Sequence, residues 1–311
     1  MEPNQMLVNT SPVGTPDRPF DNPAVEPPQV SDHFVQLPKT NLHYIKCGDG
    51  PPLIMVPATI SKIENWLALA QFLGQRFTVY FFELPGHGKS SPFPEPFCST
   101  LAAETVEALI DRLGYQTVSL MGFSFGGILA VTSLARLRAR IEQVILISPA
   151  ISRRALKYSR IHLWLLKRGV RLLRKPGVRA ATLRLIRSPR SSPLLGWLFT
   201  KAGKVEKTIP MQEVFQKVTD STADVLSYQI GEMLDFEMDG QGEPFSQPCY
   251  FVMSTRDPLL DFGTTLRVVN RQFKTVHVQR FDFPYHQPPR PPTFNEFVRD
   301  YGRMLDYIKA K

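Results

Sequence analysis

Continuous apolar runs alternate with amphipathic stretches along most of this chain. Residues 52–57 (PLIMVP), 77–84 (FTVYFFEL), 116–123, 141–149 (IEQVILISP), 248–256 and 275–283 read as strands, the most apolar of them buried on both faces. Between them, 61–75, 100–113, 125–137, 262–272 and 293–310 read as helices. Ser61 followed by Glu64 predicts a capping box at the start of the first helix. Residues 33–37 and 41–47 predict a hairpin ahead of this series. Such alternation predicts an α/β fold, a mainly parallel sheet with helices on both faces. The strand rhythm stops between 150 and 248, which predicts a helical insertion. Residues 32–150 and 246–311 then form the core and 151–245 the insertion. Residues 1–31 read as a flexible, Pro-rich arm, because polar Pro-rich sequence buries too little apolar surface to offset its ordering entropy.

Composition narrows the class. With 311 residues, 43% apolar and 21% charged, the chain has the make-up of a globular protein with one large core. The net charge of +9 is unevenly placed. Residues 151–207 hold 16 Lys or Arg against the single acid Glu206, whereas 208–245 hold 8 acids against the single base Lys217. Cys47, Cys98 and Cys249 are far apart and odd in number, which argues against a disulfide framework or a thiolate zinc site and fits a reducing compartment. The opening residues lack the basic and apolar regions of a secretory signal, so a cytoplasmic location is expected. Residues 116–135 carry no charge, but three glycines and several hydroxyls divide them into strand, turn and helix rather than a membrane span.

The chemistry-bearing motif is Gly122-Phe123-Ser124-Phe125-Gly126, followed by Gly127, between an expected strand and an expected helix. That context suits a G-x-S-x-G elbow, where a serine on a sharp turn sits beside the positive end of a helix. Serine needs a base to remove its proton, and the base needs a carboxylate to orient it. On this topology the chain order is Ser, acid, His. Asp257 and His286 each follow the end of a late strand, so Ser124, Asp257 and His286 are the candidate catalytic residues. Asp261 is the nearest rival acid.

With these residues in place, the chain resembles the α/β-hydrolase superfamily, in the branch that carries a helical cap, over about residues 33–311. The stretch Glu83-Leu84-Pro85-Gly86-His87-Gly88-Lys89-Ser90 is similar to the family's D-x-P-G-x-G-x-S turn, with Glu in place of Asp. After the third strand the family usually has His-Gly, where this chain has Val56-Pro57-Ala58-Thr59. The resemblance implies an oxyanion hole from the backbone N–H groups of Phe125 and Thr59, with Ile60 as the alternative to Thr59. Phe123 and Trp164 are candidate substrate-binding residues. No metal or organic cofactor is implied.

The expected activity is therefore a serine hydrolase on an ester or related acyl bond of a mainly apolar small molecule. Thioesterase, acyltransferase, amidase, C–C hydrolase and cofactor-free haloperoxidase chemistry stay open on the same residues, as does a non-catalytic binding protein that keeps the fold. Ser124 speaks against the dehalogenase and epoxide-hydrolase branches, which carry Asp at the elbow. Residues 160–175, taken as a helix, gather Arg160, Lys167, Arg168, Arg171, Arg174 and Lys175 in about one third of the circumference, with Trp164 among them. The simplest expectation is a charged face in solvent and leucines packed over the site. The alternative is a peripheral contact with an anionic membrane surface or with substrate phosphates. Nucleic acid is not expected as a partner, because no binding motif accompanies the charge.

Overall fold

The computed structural model describes residues 6–8, 26–59, 62–203, 215–238, 240, 242–288 and 290–308. Its strands are β1 (Met6–Val8), β2 (Val30–Leu37), β3 (Thr40–Cys47), β4 (Pro52–Val56), β5 (Thr78–Phe82), β6 (Val118–Phe123), β7 (Ile141–Ile147), β8 (Cys249–Ser254) and β9 (Val276–Phe281). Its longer helices are α1 (Ile63–Leu73), α2 (Ser99–Leu113), α3 (Phe125–Arg136), α4 (Arg160–Leu173), α5 (Pro176–Arg187), α6 (Ser192–Gly203), α7 (Asp220–Met233), α8 (Phe262–Gln272) and α9 (Phe294–Tyr307). The sheet order is β1-β9-β8-β7-β6-β4-β5-β3-β2. All pairings are parallel except those of β3 with β2 and with β5.

The apolar runs follow from this burial. Along β4, Ile54 and Val56 enter the core on one face of the sheet, and Leu53 and Met55 enter the core on the other. Along β6, Val118 and Leu120 take the first face, and Met121 and Phe123 the second. Both sides of each strand are therefore apolar, and no alternation survives in the sequence. Helices α2, α3 and α8 cover the first face, and α1 and α9 cover the second. Each large apolar side chain buried this way contributes about 1.5–3 kcal/mol relative to exposure.

Two local expectations differ from the structure. Helix α1 begins at Ile63 with Lys62 at its N-cap and no side-chain cap, so the Ser61–Glu64 capping box is not its start signal. Ser61 itself lies outside the described residues. The N-terminal arm is not wholly separate from the sheet. Met6–Val8 pairs in parallel with β9, and β2 opens already at Val30. Period-2 reading misses a three-residue edge strand because it is too short to carry a pattern.

The chain leaves the sheet after β7 and returns at β8. Its two crossings are tied together where Ser152 bridges Glu237. Helix α7 lies across the C-terminal end of the sheet, with Thr222 Oγ1 donating to the Gly86 carbonyl at 3.2 Å and Glu232 accepting from Ser99 N at 3.0 Å. Helices α4 and α5 both pack on α7, and α6 packs on α5.

Candidate active site

The elbow forms where β6 turns into α3. Ser124 sits there at φ 53°, ψ −117°, a conformation that L-residues rarely adopt and that costs of order 1–3 kcal/mol. Backbone hydrogen bonds hold it. Ser124 N donates to the Ile147 carbonyl at 3.0 Å, and its own carbonyl accepts from Ala150 N at 2.9 Å and Gly127 N at 3.0 Å. The flanking glycines are required by close approach. A Cβ on Gly122 would lie 2.2 Å from the Gly126 carbonyl oxygen, and one on Gly126 would lie 2.7 Å from the Val56 carbonyl oxygen. The loop after β4 thus rests directly on the first turn of α3.

The structure brings the three sequence-predicted residues together. Ser124 Oγ is 2.8 Å from His286 Nε2, and His286 Nδ1 is 2.7 Å from Asp257 Oδ2. Asp257 is fully buried, and its other oxygen accepts from Leu259 N at 2.8 Å and Leu260 N at 2.9 Å. Those amides satisfy the carboxylate and fix its rotamer. A carboxylate only accepts, so His286 donates from Nδ1. In the neutral ring Nε2 is then unprotonated and accepts from the Ser124 hydroxyl. This arrangement can take a proton from serine and hold the resulting imidazolium. Asp261, the rival acid, caps α8 instead and accepts from Thr264 N at 2.8 Å.

Of the expected oxyanion donors, Phe125 opens α3, where the first N–H groups have no intrahelical acceptor. Thr59 is half-buried on the loop after β4. Ile60, its alternative, lies outside the described residues. Phe123 packs its ring 5.3 Å from the His286 ring and 5.2 Å from the Trp66 ring. With Ser148, Phe281 and Phe283 these residues line an apolar cavity beside the imidazole. Trp164 does not join them. It is 59% exposed on α4, with the Arg168 guanidinium 5.8 Å over its ring. It stands among the cations of α4, and the helix presents that side to solvent, so Trp164 is not placed to line the cavity.

Several supports were not legible beforehand. Ser254, at the end of β8, accepts from Phe283 N at 2.9 Å and donates to the Phe283 carbonyl at 2.6 Å. It ties the loop that carries Asp257 to the loop that carries His286. Lys157 Nζ donates to the Asp257 carbonyl at 2.7 Å. A serine at a strand end and a lysine 100 residues upstream give no sequence signal for these contacts. The Asp-Pro pair at 257–258 did carry one, because Asp commonly accepts from amides two residues on.

Glu83 is structural. Its buried carboxylate accepts from Lys89 N at 2.6 Å and pairs with His43 Nδ1 at 2.8 Å. His43 meets Asp32 on its other side. The longer Glu thereby staples β3 to the turn at 84–90. His87 on that turn is also buried, and neither ring nitrogen makes a well-formed hydrogen bond among the described residues. Desolvation pulls its imidazole down to about 4, opposed only in part by the Thr59 backbone beside it. It is therefore neutral at pH 7.

Sequence and fold comparisons agree with this architecture. A family model described as alpha/beta hydrolase fold matches residues 51–214, more than half of the chain. The chain belongs to the alpha/beta hydrolase family. Among its relatives, the N-formylmaleamate deformylase of Pseudomonas putida is 30% identical over 112 residues, 35% of this chain and 42% of that protein. Carboxylesterase YbfK of Bacillus subtilis is 31% identical over 112 residues, 35% of this chain and 38% of that protein. Each match thus spans less than half of the relative's length. A membrane phospholipase A described as a bacterial virulence factor has a similar fold, with a TM-score of 0.63 at 22% identity over 89% of this chain and 86% of that one.

Proposed function

We propose that this chain is a serine hydrolase that cleaves a carboxylic ester, or a related acyl bond, through an acyl-enzyme. The observation that carries the reading is the continuous hydrogen-bonded line from Ser124 Oγ through His286 to the buried Asp257. In this mechanism Ser124 Oγ forms a bond to the acyl carbon while His286 Nε2 takes its proton. The Phe125 and Thr59 amides receive the oxyanion, aided by the N-terminus of α3. The acyl–oxygen bond then breaks, and His286 returns the proton to the departing alcohol. Water, deprotonated by the same imidazole, attacks the acyl-enzyme, and the acid leaves with Ser124 restored. Asp257 keeps the ring in the productive tautomer and stabilises its cation. The aromatic cavity beside His286 favours an apolar substrate group, with Phe123 in contact with it. A carboxylesterase among the relatives is in keeping with an ester as substrate.

The test compares the intact chain with Ser124→Ala on a panel of p-nitrophenyl esters of increasing acyl length, alongside labelling by a fluorophosphonate probe. Loss of both turnover and labelling in the variant is expected. Undiminished turnover overturns the assignment of Ser124. Absence of labelling in the intact chain favours a non-catalytic protein that keeps the fold.

A further inference from the structure

Three consecutive helices turn large apolar side chains outward. On α4, Ile161, Trp164, Leu165 and Leu172 are 71%, 59%, 51% and 43% exposed. They stand at i, i+3, i+4 and i+11, which is one stripe of a helix. The opposite side of α4 is anchored, with Val170 buried and Leu163 and Leu166 packed against the core. On α5, Val178 and Leu185 stand seven residues apart and exposed, while Leu183 is buried. On α6, Leu194, Trp197 and Leu198 repeat the i, i+3, i+4 pattern and are exposed. Because α4 and α5 both pack on α7, their stripes face away from the same helix. Single exposed leucines are ordinary, but apolar stripes exposed on three helices packed in series mark a contact surface.

The charges around these stripes identify the occupant. Residues 160–203 hold 11 Lys or Arg and no Asp or Glu. Three of the cations turn towards the body of the protein. Lys167 pairs with Asp235, Arg174 lies 4.2 Å over the Tyr228 ring, and the buried Arg179 binds Asp220 and Asp224. Arg160, Arg168, Lys175 and Arg184 remain exposed beside the apolar stripes. A second copy meeting this face through a two-fold axis would set two acid-free basic surfaces against each other. Nucleic acid satisfies the charge and leaves the aliphatic side chains in water. An anionic bilayer satisfies both, with phosphates at the cations and acyl chains at the leucines. Tryptophan suits that interface through its apolar ring and polar N–H. Among the described residues no helix is long and apolar enough to cross a membrane.

We propose that the outer face of α4–α6 docks this protein on an anionic phospholipid surface, whichever acyl bond the site cleaves. The experiment floats the full chain with vesicles of phosphatidylcholine, alone or mixed with phosphatidylglycerol, at low and high salt. Binding to the anionic vesicles at least tenfold tighter than to the neutral ones, and weakened by salt, is expected. Of the three tryptophans, Trp66 is buried. Quenching by brominated lipid is therefore expected in the intact chain and lost in Trp164→Ala/Trp197→Ala. Arg168→Gln/Lys175→Gln removes two exposed charges and is expected to weaken binding about 25-fold, about fivefold for each. Circular dichroism and thermal melting check that both variants remain folded. Equal flotation with neutral and anionic vesicles overturns the proposal, as does unchanged binding by either folded variant. A solution dimer that Trp164→Ala converts to monomer also overturns it, by assigning the face to a second copy.

Discussion

Lowering the pH from 8 to 5 protonates His87 in the unfolded chain but not in the folded one. Burial pulls the folded imidazole from its ordinary 6.5 down to about 4. Below pH 6.5 the unfolded state therefore binds the proton first, and stability falls as the pH falls. The stabilisation that a neutral His87 contributes is fully present above 6.5. It is lost progressively down to about 4, where the folded state also takes the proton. The whole difference corresponds to about 3 kcal/mol, of which about 2 kcal/mol is gone at pH 5. The assay is urea unfolding of the intact chain and His87→Gln at pH 8, 6.5 and 5. Other titrating groups act in both proteins and cancel in their difference. Glu232, whose carboxyl burial raises, is one of them and acts with the opposite sign. The intact chain should lose about 2 kcal/mol relative to the variant between pH 8 and pH 5. A difference that stays constant across this range refutes the reasoning, because it means that water or a partner reaches the folded ring.

Two further outcomes follow from the site. Asp257→Asn keeps the volume and one acceptor for the Leu259 and Leu260 amides, but replaces the acceptor at His286 Nδ1 with a group that can donate. The ring is then held in the wrong tautomer, and ester turnover should fall about 10⁴-fold with KM little changed; a loss below tenfold in steady-state kinetics counts against the role given to Asp257. Gly126→Ala places a Cβ 2.7 Å from the Val56 carbonyl oxygen and 2.9 Å from that of Pro57. Both neighbours are backbone and cannot rotate away. A cost of about 1–3 kcal/mol in urea unfolding is expected, and intact-chain stability in the variant would show that the loop after β4 moves freely.

Much of the architecture was legible because its causes are local. Strands buried on both faces read as apolar runs, and the amphipathic helices between them fixed the order of elements. The motif around Ser124, and the positions of Asp257 and His286 after late strands, named the three residues that meet at the end of the sheet. Their contact could be anticipated because the topology returns β8 and β9 beside β7, at the end where β6 delivers the elbow.

Other features depended on neighbours far along the chain. Ser254 could be recognised as the tie between the two loops only when Phe283 lay beside it. Lys157 became a support of Asp257 through a contact spanning 100 residues. The orientation of α4 was the clearest case. Its sequence is amphipathic, and periodicity alone predicts two sides, cations on one and leucines on the other, without saying what either side meets. The rotation of the helix was set by α7, which offers Asp235 to Lys167 and the Tyr228 ring to Arg174. A helix carries its pattern in its own residues, but which side of that pattern meets solvent depends on the partner against which it packs.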